Sequence, residues 1–168
     1  MRKYLQANWR PLSVLAVICM SMVAMVVAIC RHDIWMSVAG LPGYLFLLSL
    51  LHECGHVLGC KLNRSKLTGV CVVFFGVRQG KLYLLQQPKP ESYCTFIRKE
   101  RNGIVFLGGP VVSLVVTLLV LSLVVTTGSY VWLIYYLVSA LHLLKNLIPG
   151  RNSDMQMLLK EGKKQKRD

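Results

Sequence analysis

The chain has 168 residues, room for one domain, and 54% of them are hydrophobic, with a mean hydropathy of +0.51. That is well above the average of soluble proteins and points to an α-helical polytopic membrane protein. The formal net charge of +13 invites a nucleic-acid partner, but the charge is clustered between long uncharged runs rather than gathered on one face.

Four apolar segments predict four membrane spans, at about 12–30, 42–60, 104–126 and 131–148. The first has Arg2, Lys3 and Arg10 as a basic flank, as a signal peptide would. Its apolar run is longer than a usual signal core, no A-x-A site follows, and the bulky Ile29 before Cys30 makes a poor lipoprotein cleavage site, so it reads as a retained span. Pro42 and Gly43 open the second span, and Gly55 and Gly59, four residues apart on it, let another helix approach closely.

The loop 61–101 carries two β-prone runs, Val70–Phe75 and Lys81–Leu85, flanking Arg78-Gln79-Gly80, which predicts a β-hairpin. Both strands are apolar on both faces. This fits a hairpin dipping into the bilayer and, equally, a small cytoplasmic sheet packed on itself. Residues 95–99 read as a short interfacial helix. From Asn102 to Leu144 there is no charged residue, a run of 43 that holds two spans with a turn at Thr126-Thr127-Gly128-Ser129. Trp132, Tyr135 and Tyr136 read as aromatic anchors in the outer half of the last span. A basic tail, 156–168, ends the chain.

Lys and Arg number three before the first span, one (Arg31) after it, nine between spans two and three, none between three and four, and seven from Lys145 onward. This alternation is the positive-inside pattern. It predicts a multi-pass protein of the cell membrane with both termini and the long loop in the cytoplasm, the lipid bilayer as its partner and no nucleic acid. Nothing in the sequence sets an oligomeric state. The six Cys residues form no C-x-x-C pair, and a disulfide framework is not expected in a reducing compartment.

The chemistry concentrates at His52-Glu53-Cys54-Gly55-His56, an H-E-x-x-H pattern inside the second span. Two His four apart share a helix face and can reach one Zn²⁺, and the Glu between them is placed to take a proton from an activated water. Cys54 points off that face and reads as small apolar filler. A carboxylate at such a depth costs roughly 2.5–3.5 kcal/mol on insertion scales if it faces lipid, so Glu53 needs a reason to be there. The predicted topology brings Asp154, just past the fourth span, to the same cytoplasmic end as His52 and His56. Two His and one carboxylate leave a fourth tetrahedral position open, as in a catalytic zinc site with one ion per chain. Glu91 and Glu100 are alternative third ligands. Pro149 and Gly150 break the last span before Asp154, and Asn146 can hold freed backbone groups or a substrate strand. His142, one turn before Asn146, is expected in a structural role, hydrogen-bonded to Ser or Tyr neighbours, or else lining the site.

H-E-x-G-H on one helix, with N-x-x-P-x₄-D from Asn146 through Pro149 to Asp154 on a later one, resembles the site-2 protease family of intramembrane zinc metallopeptidases. Gly108-Gly109-Pro110, opening span three, is similar to that family's middle helix. The resemblance covers about residues 42–155. It implies His52, His56 and Asp154 as zinc ligands, Glu53 as general base, Asn146 and Pro149 as substrate-positioning residues, and a hairpin in 68–86 that holds the substrate as an extended strand. The implied substrate is a membrane-embedded protein or a leader or signal-peptide remnant, cut near the cytoplasmic face. No PDZ-like or CBS-like domain fits in the remaining length. The chain departs from the family at Met155, where Gly usually follows the Asp, at Arg151, where a second Pro is common, and at Ser113, where an Asn often follows the G-P pair. A reading of another class is a non-proteolytic membrane accessory or immunity protein that keeps the metal as a structural clamp.

Overall fold

A computed structural model describes residues 2–72, 75–78, 81–84, 93–97, 102–149 and 153–165. These form α1 (Arg2–Arg31), α2 (Ile34–Ala39), α3 (Leu41–Leu62), β1 (Leu67–Val72), β2 (Phe75–Arg78), β3 (Lys81–Leu84), β4 (Tyr93–Phe96), α4 (Gly103–Thr127), α5 (Tyr130–Leu147) and α6 (Asp154–Gln165). The molecule is mostly helical. Among the described residues three helical stretches are long and apolar enough to cross a membrane: Ser13–Arg31, Leu41–Leu62 and Gly103–Thr127. The sequence reading expected four. The fourth, α5, has 18 residues, but His142, Lys145 and Asn146 dilute its apolar character.

Local chemistry sets the helix ends. Asp33 caps α2, its carboxylate accepting from the Trp35 and Met36 backbone N–H groups at 2.8 and 3.1 Å. Pro42 sits in the first turn of α3, where its missing N–H costs nothing. Gly128 ends α4 in the left-handed conformation at φ +62°, so the turn expected at 126–129 is a helix C-cap followed directly by α5. At the other end of α5, Ile148 is extended (φ −71°, ψ 127°), because the Pro149 ring disfavours helical backbone in the residue before it.

α3 is the central helix, packed between α1 and α4. Gly55 of α3 and Gly108 of α4 face each other backbone to backbone. A Cβ on Gly55 would lie 2.7 Å from the Gly108 carbonyl carbon, and one on Gly108 would lie 2.8 Å from that of Gly55. Gly59 repeats the approach one turn on, against Ile104 and Val105. The small-residue seam expected from the sequence is thus the α3–α4 interface. Away from the site end, Tyr44 and Leu48 of α3 form the core with Ala28, Val120, Val131 and Tyr135. The Tyr44 and Tyr135 rings lie 4.6 Å apart and the Tyr44 hydroxyl bonds Ser139 Oγ. Tyr135 is wholly buried and is therefore a core residue rather than an interfacial anchor.

The segment after α3 is richer than one hairpin. The four strands form an antiparallel sheet in the order β3-β2-β1-β4. The expected hairpin is present as β2–β3, pairing Phe75 with Leu84 and Arg78 with Lys81. Val70–Phe75 is not one strand, however: β1 ends at Val72 and β2 starts at Phe75, so the run doubles back on itself, with Val72 opposite Phe75. Nor do residues 95–97 start the helix expected over 95–99. Tyr93–Phe96, rich in β-prone side chains, pairs with β1 as an edge strand, and the Ile97 N–H extends the contact to the Lys66 carbonyl at 2.9 Å. Gln79, Gly80, Arg98 and Lys99 lie outside the described residues. Most of the basic tail, 156–168, falls in α6 (Asp154–Gln165).

Candidate metal centre

His52, Glu53 and His56 occupy the C-terminal half of α3 and are all buried, at 6%, 4% and 6% exposure. Helical spacing puts the two imidazoles on one face, toward α4 and the start of α6. Asp154 is the first residue of α6. Ser153 caps that helix, its hydroxyl accepting from the Gln156 N–H at 3.2 Å and its carbonyl from the Met157 N–H at 3.2 Å. The Pro149 break and this cap together turn the chain back, so that Asp154 meets His52 and His56.

Three ligand atoms converge. His52 Nε2 lies 2.9 Å from Asp154 Oδ2, His56 Nε2 lies 3.3 Å from Asp154 Oδ1, and the two Nε2 atoms are 3.2 Å apart. Among the described residues this is the cluster of His, Cys, Asp and Glu whose ligand atoms can hold a metal ion, all within 4.8 Å of one another. A tetrahedral ion with ligands at about 2.0–2.1 Å has donor atoms about 3.3 Å apart, so the spacing fits such an ion with little movement.

The other ring nitrogens explain the orientation. His56 Nδ1 lies 2.7 Å from the Val105 carbonyl oxygen, which only accepts, so Nδ1 carries the proton and donates. In a neutral ring His56 Nε2 is then a bare lone pair, pointed at a second imidazole nitrogen and a carboxylate oxygen. A cation between them, either a metal ion or an added proton on the ring, removes that repulsion. His52 Nδ1 lies 2.8 Å from Ser113 Oγ, which is buried on α4. Both histidines thus have a partner on α4 that holds the ring angle, and the Val105 carbonyl also sets the His56 tautomer. Burial pushes the Asp154 carboxyl up, but hydrogen bonds to His52 and His56 outweigh it and hold it at about 2, so it is a carboxylate at neutral pH.

The wall opposite the two His is the backbone of α4. A Cβ on Gly109 would lie 2.6 Å from His52 Nε2 and closer still to His56 Nε2, so only glycine fits beneath the cluster. Gly108-Gly109-Pro110 does not open α4 but lies inside it, six to eight residues into the helix. Pro110 has no N–H and leaves the Phe106 carbonyl without its helical donor.

The remaining expected residues are placed as follows. Glu53 is buried beside the ligands, and its Oε2 makes no hydrogen bond. Cys54 is exposed and points away, as read from spacing. Asn146 is half-buried, and its amide donates to the His142 carbonyl on its own helix at 3.0 Å. Pro149 is exposed, next to the extended Ile148 that ends α5. Glu91, Glu100, Gly150 and Arg151 lie outside the described residues. His142, expected in a structural role, is at the site: its ring meets that of His52 edge-on, centroids 5.5 Å apart. Ser113 and Gly109 are the residues whose roles sequence reasoning missed. The two share one face of α4, but which face turns to the H-E-x-x-H turn is set by the crossing of the two helices, which the sequence does not show.

Two thiols meet nearby. Cys60, one turn past His56, and Cys94 on β4 hydrogen-bond each other. Burial pushes the Cys94 thiol well above the ordinary cysteine range, with the neighbouring Cys60 and Glu53 adding to the rise. This fastens the edge strand β4 to the C-terminal end of α3, helped by Phe96 against Phe106 of α4 at 5.7 Å.

No family model, curated protein or solved structure matches the chain.

Proposed function

We propose that this chain is a zinc-dependent intramembrane endopeptidase of the kind the H-E-x-G-H and N-x-x-P-x₄-D patterns resemble, the site-2 proteases. The observation that carries the proposal is the convergence of His52, His56 and Asp154 on one point, with the buried, unpaired carboxylate oxygen of Glu53 on the same helical turn. α5 acts as a fourth span beside the three apolar helices, both termini and the sheet lie on the cytoplasmic side of the cell membrane, and the site is near that face. The substrate is a membrane-anchored protein or a leader or signal-peptide remnant.

His52, His56 and Asp154 would hold the ion. When bound, zinc supplies Lewis acidity that polarises a peptide carbonyl and acidifies water. Glu53 accepts the proton from the attacking water at Oε2 and returns it to the leaving amine. Ser113 and the Val105 carbonyl keep the two imidazoles aimed, so no ring has to reorganise during the reaction. The close seam between α3 and α4 keeps lipid and bulk water from the inner side of the cluster. A substrate helix hides its scissile bond, so it must be held extended. The exposed edge of the sheet offers backbone groups for that pairing.

The test is cleavage of a model membrane substrate by purified protein in liposomes. Glu53→Gln is expected to retain zinc and lose cleavage. A Glu53→Gln variant that still cuts would sink the mechanism. Zinc content without any chelator-sensitive cleavage by the wild type would favour the accessory or immunity protein with a structural clamp.

A further inference from the structure

Among the described residues, three buried side-chain polar atoms have no hydrogen-bond partner: Tyr135 Oη, Glu53 Oε2 and His142 Nδ1. Two of the three sit at the metal cluster. Leaving such a group unpaired costs about 1–3 kcal/mol, so each calls for a function. Glu53 has one in the mechanism above. His142 has none.

The neighbours of His142 are already engaged. Ser139, one turn earlier on α5, donates to the Tyr135 carbonyl at 2.9 Å and bonds the Tyr44 hydroxyl. Asn146, one turn later, donates its amide to the His142 carbonyl. His52 has Ser113 on Nδ1 and Asp154 and His56 around Nε2, so the ring that His142 touches edge-on has no nitrogen to offer it. Asp154 is within electrostatic reach of His142. An imidazole beside the ligands, packed against one of them, with a buried nitrogen that no described residue satisfies, suits a group that arrives with the substrate.

Resting on the proposed metal site, we propose that His142 is a catalytic residue that touches the substrate: its unpaired ring nitrogen hydrogen-bonds the oxygen of the scissile peptide group. Glu53 Oε2 and His142 Nδ1 then divide the work, the carboxylate taking the proton and the imidazole, protonated at that nitrogen, donating to the carbonyl oxygen as negative charge develops there. Such a donor acts where water is excluded and needs no reorientation. The His52 face against which it packs sets its direction.

Cobalt(II)-substituted protein reads this directly, with acetohydroxamate as the probe, because its oxygens occupy the place of the reacting peptide oxygens. His142→Phe keeps a ring against His52 and removes the nitrogens. It is expected to leave cobalt stoichiometry and the visible spectrum as in the wild type, and to weaken acetohydroxamate binding about 10- to 100-fold, the worth of a hydrogen bond to a charged group. His142→Ala, which also removes the packing, serves as a second variant and is expected to perturb the cobalt spectrum as well. Equal hydroxamate affinity in wild type and His142→Phe overturns the proposal. Loss of cobalt from His142→Phe overturns it too, since the residue would then serve the metal rather than the ligand. If the hydroxamate effect is present while no membrane substrate is cut, the peptidase reading fails and the role of His142 as a ligand donor stands.

Discussion

Replacing Gly109 by Ala separates the metal centre from the fold. The new Cβ would lie 2.6 Å from His52 Nε2 and 2.7 Å from His52 Cε1, with His56 Nε2 closer still. Non-bonded heavy atoms rest at about 3.5 Å, so the His52 ring must retreat by about 0.9 Å or α4 must move away from α3. Metal–ligand distances tolerate about 0.2 Å, and moving α4 away would give up the close Gly55–Gly108 packing next door. Zinc affinity should therefore fall at least about 100-fold, the upper end of what loss of an outer partner costs. The helix itself should not suffer, because Ala is favoured over Gly in a helix interior by up to about 1 kcal/mol. The assay is zinc per chain by elemental analysis, with affinity from competition against a chromophoric chelator and helicity from circular dichroism in detergent. Gly103→Ala is the control: its Cβ would meet only Leu158 Cδ1, at an ordinary 3.5 Å. A Gly109→Ala protein that binds zinc as tightly as the wild type would refute the idea that the cluster rests on the α4 backbone.

Three further outcomes are expected. Ser113→Ala removes the partner of His52 Nδ1 and should weaken zinc about 10- to 100-fold with the fold intact; an unchanged chelator-competition curve would show that this hydroxyl does not orient the ligand. Gly55→Val pushes α3 and α4 apart and should destabilise the protein by about 1–3 kcal/mol, seen as an earlier midpoint in detergent-mixture unfolding; an unmoved midpoint would contradict the seam. Because burial raises the Cys94 thiol, its alkylation in the folded protein should stay far slower than that of an ordinary thiol from pH about 7 to 9 and still climb about tenfold per pH unit at 9, where an ordinary thiol near about 8.5 levels off; peptide mapping of iodoacetamide adducts gives the answer, and a rate that levels off near about 8.5 would place Cys94 in solvent.

The site was legible where chemistry repeats at helical spacing. His52 and His56 share a face because 3.6 residues make a turn, and charge alternation put Asp154 at their level without any knowledge of contacts. The partners on α4 were not legible. A serine and a glycine in an apolar helix carry no sign of what they will touch until the crossing of two helices is known. The β-region was misjudged for a related reason. Val70–Phe75 is uniformly apolar, and no polar residue separates Val72 from Phe75, so one long strand and two short ones look alike. Residues 95–99 failed because the basic Arg98 and Lys99 suggested an amphipathic helix, while pairing of Tyr93–Phe96 with β1 overrode that local pattern.

Asp154 joins two kinds of constraint at one residue. It stands at the first position of α6, where the helix dipole favours a carboxylate, and its side chain keeps only 19% of its exposure. Neither the cap at Ser153 nor the Pro149 break needs a metal to form, since both are local backbone chemistry. The third ligand is therefore delivered by the chain itself, to a point where two imidazoles are already fixed by Ser113 and Val105 from α4. A centre assembled this way would bind an ion without first having to order three elements. The affinity lost on damaging it should then track the displacement of single atoms, as at Gly109, rather than the stability of the whole fold.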